Sequence, residues 1–425
     1  MNQNTFRDKV IFILAAIFLN FRVNIIGSIS LTELFIVTQI PHLFKWFYSQ
    51  GRLVPYLHKV VIGFVILIVV QCVAEFMVGN SLINAVKGIA VTVMTVFIML
   101  FFLERLIKDI SLLIWLPLCK IAGLLIFGDQ FGFADEGEAT FFKFYVAPIV
   151  INLTCVAMLY KNRWISKNLV IICLISSLFT IIGGARSLGF SMFLTVMFYI
   201  VYSRYKTMNF KRLLSGLLAV IVVLQLFLTF IYMPKVKAGE WGSTQNRQQF
   251  ESINWNSNIF MVLFSARSDF FVSMVAFMDK PLWGHGSWAV DTTRKYHLLQ
   301  AKMTGFKYVK QRNKVAYVPN HSVVLGKGVS NGIFAFGVFL WIFITIYKVG
   351  CKGMSQDSPF NFYLIWTLVS SFQHLMFGPP AILKNNGAIA FAVIFAIIYL
   401  KFIYYLNQLN VNEEKTIGSH CYLQA

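Results

Sequence analysis

The chain predicts an all-α polytopic integral membrane protein, with about twelve transmembrane helices and one large, partly helical external loop between the ninth and tenth. Three observations predict it. Apolar residues make up 58% of the 425 positions and charged residues only 13%, too few to build a water-solvated surface. The apolar residues gather into long continuous runs. One polar stretch, residues 233–320, stands apart from them with twelve Lys or Arg against five Asp or Glu.

A hydrocarbon core of about 30 Å takes roughly 20 apolar residues in a helix. Runs of this kind cover residues 9–26, 31–47, 59–78, 82–103, 110–127, 142–160, 168–185, 187–203, 213–232, 322–347, 360–378 and 384–406. The second contains Pro41 and His42, and the seventh and eighth nearly touch. A β-barrel is excluded, because barrel strands alternate in polarity over about ten residues and these runs do not. The chain therefore divides into a transmembrane region 1–232, the loop 233–320, a second transmembrane region 321–406 and a tail 407–425. No internal repeat relates the parts, and a division of nine spans and three disfavours the two-halves plan of many carriers.

The short connections set the orientation. Lys45, Arg52 and Lys59 fall in the second, Arg105 and Lys108 in the fourth, and Lys161, Arg163 and Lys167 in the sixth. Arg204, Lys206, Lys211 and Arg212 fall in the eighth, and Lys348 and Lys352 in the tenth. The odd connections, such as 78–81 and 128–140, are almost free of Lys and Arg. The basic side is cytoplasmic, so both termini are expected inside and the long loop outside. A loop longer than about 60 residues crosses regardless of its charge. The first span ends in Asn20, Arg22 and Asn24 without a small-residue cleavage site and reads as a retained anchor. Cys72, Cys119, Cys155 and Cys173 lie in spans and Cys351 and Cys421 on the inner side, so no disulfide framework supports the loop.

Within the loop, residues 233–256 read as irregular, broken by Gly239, Gly242, Ser243 and Asn246. Residues 259–278 carry an apolar stripe of Phe260, Leu263, Phe264, Phe270, Phe271, Met274, Val275 and Phe277, and predict an external helix near the membrane surface. Pro281, Gly284 and Gly286 in Pro-Leu-Trp-Gly-His-Gly then set a tight turn. The strongly basic stretch 294–314 is placed to cover a site. A cationic external surface suits an anionic partner such as a lipid headgroup or a diphosphate-linked substrate; a merely solvated basic loop is the alternative.

Few residues near the outer span ends carry chemistry. Arg186 follows Gly183-Gly184-Ala185, Arg267 opens Arg-Ser-Asp, and His321 sits between Asn320 and Ser322. An arginine fork makes two parallel bonds to phosphate and keeps its charge, so it stabilises a leaving diphosphate without a metal. Snorkelling to lipid phosphates is the structural alternative for Arg186. A histidine titrates near pH 6.5 and accepts a proton from an attacking sugar hydroxyl; capping or packing is its structural alternative. Asp135, Glu136 and Glu138 form an acidic cluster without a ligand pattern for a metal. Glu33, Glu75, Lys87 and Lys120 lie in or at the edge of spans, where they form interhelical pairs or a polar path. Gly284-His285-Gly286 lacks the strand and helix of a nucleotide fingerprint.

These features together resemble the bacterial O-antigen polymerase and ligase superfamily: the topology, Arg186, Arg267, the turn at Pro281, Gly284 and Gly286, and the closing Asn320, His321, Ser322, Leu325 and Gly332. The resemblance covers the topology of the whole chain and, in motif, residues 183–337. It implies a metal-independent glycosyltransferase, without a cofactor, in the bacterial inner membrane, acting on undecaprenyl-diphosphate-linked glycan at the periplasmic face. Arg186 and Arg267 are then expected to bind the diphosphate, with Gly284, Gly286 and Asn320 beside the substrate. His321 is expected to activate or orient the acceptor hydroxyl. Membrane lipids and a chain-length regulator are the implied partners, and nucleic acid is not one. The polymerase is favoured, since the chain has His-Ser where the ligase is expected to have His-Asn. The ligase that transfers glycan to lipid A core is the near alternative, and a lipid-linked glycan transporter with a cavity lined by Glu75, Lys87 and Lys120 is the distant one.

Overall fold

The computed structural model describes residues 3–24, 28–128, 141–160, 162–205, 226, 228–241, 268–304, 316–320, 322–354, 358–380 and 382–421. The chain is a helical, multi-pass membrane protein. Eight of its helical segments are long and apolar enough to cross a membrane, among the described residues: Leu57–Val78, Leu82–Lys108, Ile110–Phe127, Phe142–Leu159, Arg163–Ile182, Arg186–Arg204, Val323–Gly353 and Leu383–Tyr404.

In chain order, α1 is Gln3–Phe18, α2 Leu31–Ser49, α3 Leu57–Val78, α4 Leu82–Lys108 and α5 Trp115–Phe127. α6 is Ala147–Leu159, α7 Arg163–Ile182 and α8 Arg186–Tyr205. α9 is Met233–Lys237, α10 Ser268–Asp279 and α11 Lys295–Thr304, followed by α12 Val323–Gly353, α13 Asn361–Phe377 and α14 Ala388–Cys421. The first predicted span stops early: α1 ends at Phe18, and Arg22–Asn24 (β1) pairs antiparallel with Ser28–Ser30 (β2). The cause is the polar trio Asn20, Arg22 and Asn24, which favours a turned chain over an apolar helix; Asn20 rests against Gly123 of α5, where a Cβ would lie 2.5 Å from its amide nitrogen. Most of the predicted ninth span lies outside the described residues, but its end does not: Leu228–Tyr232 and α9 carry helix on to Lys237, past the expected boundary at 232.

Local signals account for the starts. Ser30 and Glu33 form a reciprocal capping box at α2, and the side chains of Ser81, Asn162 and Ser322 accept backbone N–H groups at the starts of α4, α7 and α12. The predicted near-contact of spans seven and eight is a tight turn at residues 183–185, which lets α7 and α8 pack against each other as a hairpin. α4 lies along α14, α3 along α12 and α8 along α13. α14 is the most enclosed, with 72% of its apolar window buried against 17% in α7, which places α14 centrally and α7 at the lipid-facing edge.

Two sets of charges inside this apolar body are paired. Lys384 Nζ meets the Glu33 carboxylate at 2.8 Å and the Ser28 carbonyl at 2.8 Å, joining the π-helical turn before α14 to the start of α2. Glu104 accepts from Lys108 at 2.7 Å and from Arg105 at 3.3 Å, with His42 of α2 at 2.8 Å. Glu33 is thus an interhelical pair, one of the two readings open to it.

Candidate functional site

The site begins where α12 breaks. Gly332 has φ 78° and ψ −172°, conformations only glycine holds without strain, so the helical hydrogen bonds around it are interrupted. The turn after α10 fills the gap with its own backbone. His285 N–H donates to the Val329 carbonyl at 2.8 Å, Gly286 N–H to the Ser330 carbonyl at 2.9 Å, and Ile333 N–H to the Pro281 carbonyl at 2.7 Å. This contact leaves no room for side chains: a Cβ on Gly332 would lie 1.9 Å from the Leu282 carbonyl, and one on Gly284 2.5 Å from the Ser330 backbone. Irregular backbone is tolerated at membrane depth only when protein covers it, and here the turn is the cover. The spaced residues Pro281, Gly284, Gly286 and Gly332 are therefore one interlocked structure.

A chain of hydrogen bonds runs beneath it. Lys327 Nζ donates to Thr92 Oγ1 at 2.9 Å, Thr92 to Gln71 Oε1 at 2.8 Å, Gln71 Nε2 to Asn331 Oδ1 at 3.2 Å, and Asn331 Nδ2 to Glu75 Oε1 at 2.9 Å. Every donor points the same way, from ammonium to carboxylate. Glu75 also accepts from Ser287 N–H at 3.0 Å and Asn80 Nδ2 at 2.5 Å, so its oxygens are filled by neutral donors. Ser287 seats against Gly88 of α4, where a Cβ would come within 2.0 Å of its hydroxyl. α3, α4, α12 and the turn are fixed to one another by these bonds.

Above the chain lies a cavity of about 430 Å³. Its walls come from α3 and α4 (Gln71, Val91), the turn (Ser287, Trp288), α11 (His297, Gln300), the segment 317–320 and α12 (Lys327, Asn331), with Pro379 and Pro380 at one side. Lys327 supplies a cation, Asn320, Gln300, Gln71 and Asn331 supply amides, and Trp288 and Tyr317 supply an edge-to-face aromatic pair 5.9 Å apart. No Asp or Glu lines it among the described residues.

Two acidic groups shape the wall without lining it. Asp291, buried at 4%, accepts the backbone N–H groups of Tyr296 and His297 at 3.0 and 3.2 Å and meets His297 Nδ1 at 3.1 Å. It both caps the first turn of α11 and orients the His297 ring at the cavity. Asp279, at the end of α10, bonds Lys295 at 2.5 Å and Tyr296 at 2.7 Å, and these partners hold its carboxyl below the usual range. His285 Nε2 meets the Ala276 carbonyl at 2.9 Å, and burial lowers its pKa. Burial and the Asp279 carboxylate raise that of Tyr296.

Of the predicted site residues, Gly284 and Gly286 form the interlock, and Gly286 and Asn320 line the cavity. Asn320 Nδ2 donates to Ser330 Oγ at 3.2 Å, and its Oδ1 lies where a Cβ on Gly326 would be, 1.9 Å away. Arg186 is half-buried at the first position of α8 and interacts electrostatically with Tyr232. It does not line the cavity. Arg267 and His321 lie outside the described residues. Ser273 of α10 donates to the Pro319 carbonyl at 3.0 Å, which joins α10 to the segment before α12, and Ser322 is fully buried at the start of α12. Of the predicted helix 259–278, the described part is helical as α10 from Ser268 onward, and α11 within 294–314 forms a wall of the cavity.

Lys327 and His297, the latter oriented by Asp291, are groups that the motif reading omits. A lysine inside an apolar run was a visible signal for the first. Asp291 lies in the irregular segment before α11 and His297 in the first turn of that helix, so no regular period relates them and the second had none. No family model matches this chain, and no curated protein does either.

Proposed function

We propose that the chain is a membrane-embedded glycosyltransferase that polymerises undecaprenyl-diphosphate-linked repeat units of an O-antigen or related surface polysaccharide. The observation that carries this reading is the cavity itself: cation, amides and exposed aromatics converge, with no carboxylate among the described lining residues, where the 281–287 turn locks into α12. Such a lining suits a sugar joined to phosphate. In this reading the chain has about twelve spans in the bacterial inner membrane, both termini are cytoplasmic, and the segment 233–320 is periplasmic.

Arg186 and Arg267 hold the donor's diphosphate, and Gly284, Gly286 and Asn320 border the bound glycan. His321 takes the proton from the acceptor hydroxyl as that oxygen attacks the anomeric carbon. The bond from that carbon to the diphosphate oxygen breaks, its electron pair leaves with undecaprenyl diphosphate, and the anomeric configuration inverts. The two arginines offset the developing charge.

Electrophoresis of lipopolysaccharide from a deletion strain tests the reading. Glycan ending at a single repeat supports the polymerase. Core free of any glycan points to the ligase, and unchanged long chains refute both.

A further inference from the structure

Lys327 lies within α12, is 6% exposed and lines the cavity. A lysine in a membrane helix is costly unless paired. Among the described residues its one hydrogen bond is to Thr92 Oγ1 and no carboxylate stands within ion-pair distance of it. Glu75, with which it interacts electrostatically, is reached only through Thr92, Gln71 and Asn331. That carboxylate is already filled by Ser287, Asn80 and Asn331. An ammonium has three N–H donors, and the described residues take one of them.

Lys384, by contrast, meets its counter-charge Glu33 directly at 2.8 Å. At Lys327 the relay of neutral groups fixes the ammonium at the cavity wall while keeping the carboxylate away from it. The cavity is closed to acidic side chains among the described residues and holds amides and the Trp288–Tyr317 pair, both about half exposed. The missing counter-charge is therefore expected on a ligand.

We infer that the Lys327 ammonium is the anion-binding group of this cavity, taking a phosphate or carboxylate oxygen of a sugar ligand. The anion follows from the cavity alone; the sugar rests on the glycosyl-transfer reading. Thr92, Gln71 and Asn331 are positioning residues that hold the ammonium.

The test is thermal unfolding of the purified full-length chain in detergent, with inorganic pyrophosphate, farnesyl diphosphate, glucuronate and neutral glucose as probes. At least one anionic probe raises the melting temperature, and glucose does not. Response to the diphosphates alone assigns the phosphate; response to glucuronate alone assigns a sugar carboxylate. Lys327→Met and Lys327→Gln weaken the anion at least about tenfold, as loss of a charged hydrogen bond does. Without ligand, Lys327→Met melts no lower than the parent, because it removes a buried cation that has no direct ion-pair partner. The inference is overturned if no anion binds, if glucose shifts the melt equally, if both variants keep the anion, or if Lys327→Met melts several degrees lower. Lipopolysaccharide from a Lys327→Met strain separates the two ideas: lost anion binding with unchanged chain length removes the link to polymerisation and leaves the anion site standing.

Discussion

The Ser287 backbone N–H points at both oxygens of the Glu75 carboxylate, at 3.0 and 3.2 Å, across 212 positions of sequence. Through this contact the turn beside the cavity is tied to a transmembrane helix from the first third of the chain. Loop and membrane body are one structure at this point, and the cavity inherits its shape from both.

Glu75→Ala removes the acceptor for Ser287, Asn80 and Asn331 together. Unsatisfied buried donors cost about 1–3 kcal/mol each, so the folded state is expected to lose about 3 kcal/mol after partial relaxation. Thermal unfolding in detergent reads this loss, and Glu75→Gln recovers part of it because one acceptor oxygen stays.

Gly332→Ala places a methyl 1.9 Å from the Leu282 carbonyl at a φ of +78°. Backbone strain of about 1–3 kcal/mol, in a positive-φ extended region held essentially by glycine alone, adds to the cost of overpacking, about 1–3 kcal/mol. The variant is expected to accumulate poorly, and the 281–287 turn to become protease-sensitive. Gly337→Ala, at a helical position with nothing within 4 Å, is the neutral control.

Lys384→Met leaves Glu33 buried without its cation and is expected to cost about 3–5 kcal/mol. Combining it with Glu33→Gln restores much of that loss. A double-mutant cycle in detergent melts that returned simple additivity would show the pair to be energetically inert.

Acid weakens the turn through His285. Burial lowers its folded pKa, so between that value and an unfolded pKa of about 6.5 the unfolded chain binds the additional proton. Stability is full above about pH 6.5 and falls as the pH drops toward the folded pKa. Melting curves collected from pH 7.5 to 5 are expected to show this slope, and His285→Gln to flatten it.

Arg186→Ala, Arg267→Ala and His321→Ala are each expected to leave the protein in the membrane and shorten lipopolysaccharide glycan to a single repeat. Immunoblots of membranes and lipopolysaccharide gels measure the two halves of that expectation. Long chains in all three variants would remove these residues from the site.

Much of the fold is legible because bilayer thickness acts on run length alone: each of the eight long apolar helices overlaps a predicted run. Boundaries are less legible where a polar pair competes, as at Asn20 and Arg22, since tertiary packing against Gly123 decides the outcome. The glycines of the turn are visible as a pattern, but their partner is not. That Gly284 and Gly332 belong to one contact depends on a break inside a helix that apolar composition conceals. Lys327 is visible as a charge within an apolar run, between Val323, Val324 and Leu325 before it and Val329 after it, but its partner Thr92 lies 235 positions away and leaves no mark in the local sequence.

The Lys327-to-Glu75 relay has a consequence for how the protein is made. Gln71, Glu75 and Thr92 are translated more than 230 residues before Lys327 and Asn331, as the separations of 235 and 256 positions in their bonds record. While the ribosome is still producing the middle of the chain, the early α3–α4 hairpin carries a carboxylate that lacks two of its donors, Ser287 and Asn331, and an amide, Gln71, that lacks its acceptor. Only arrival of α12, with the turn in place, matches them. Quality-control proteases that sense polar groups in the bilayer therefore have a defined window in which to act, and truncation before residue 331 should leave the early hairpin open to degradation.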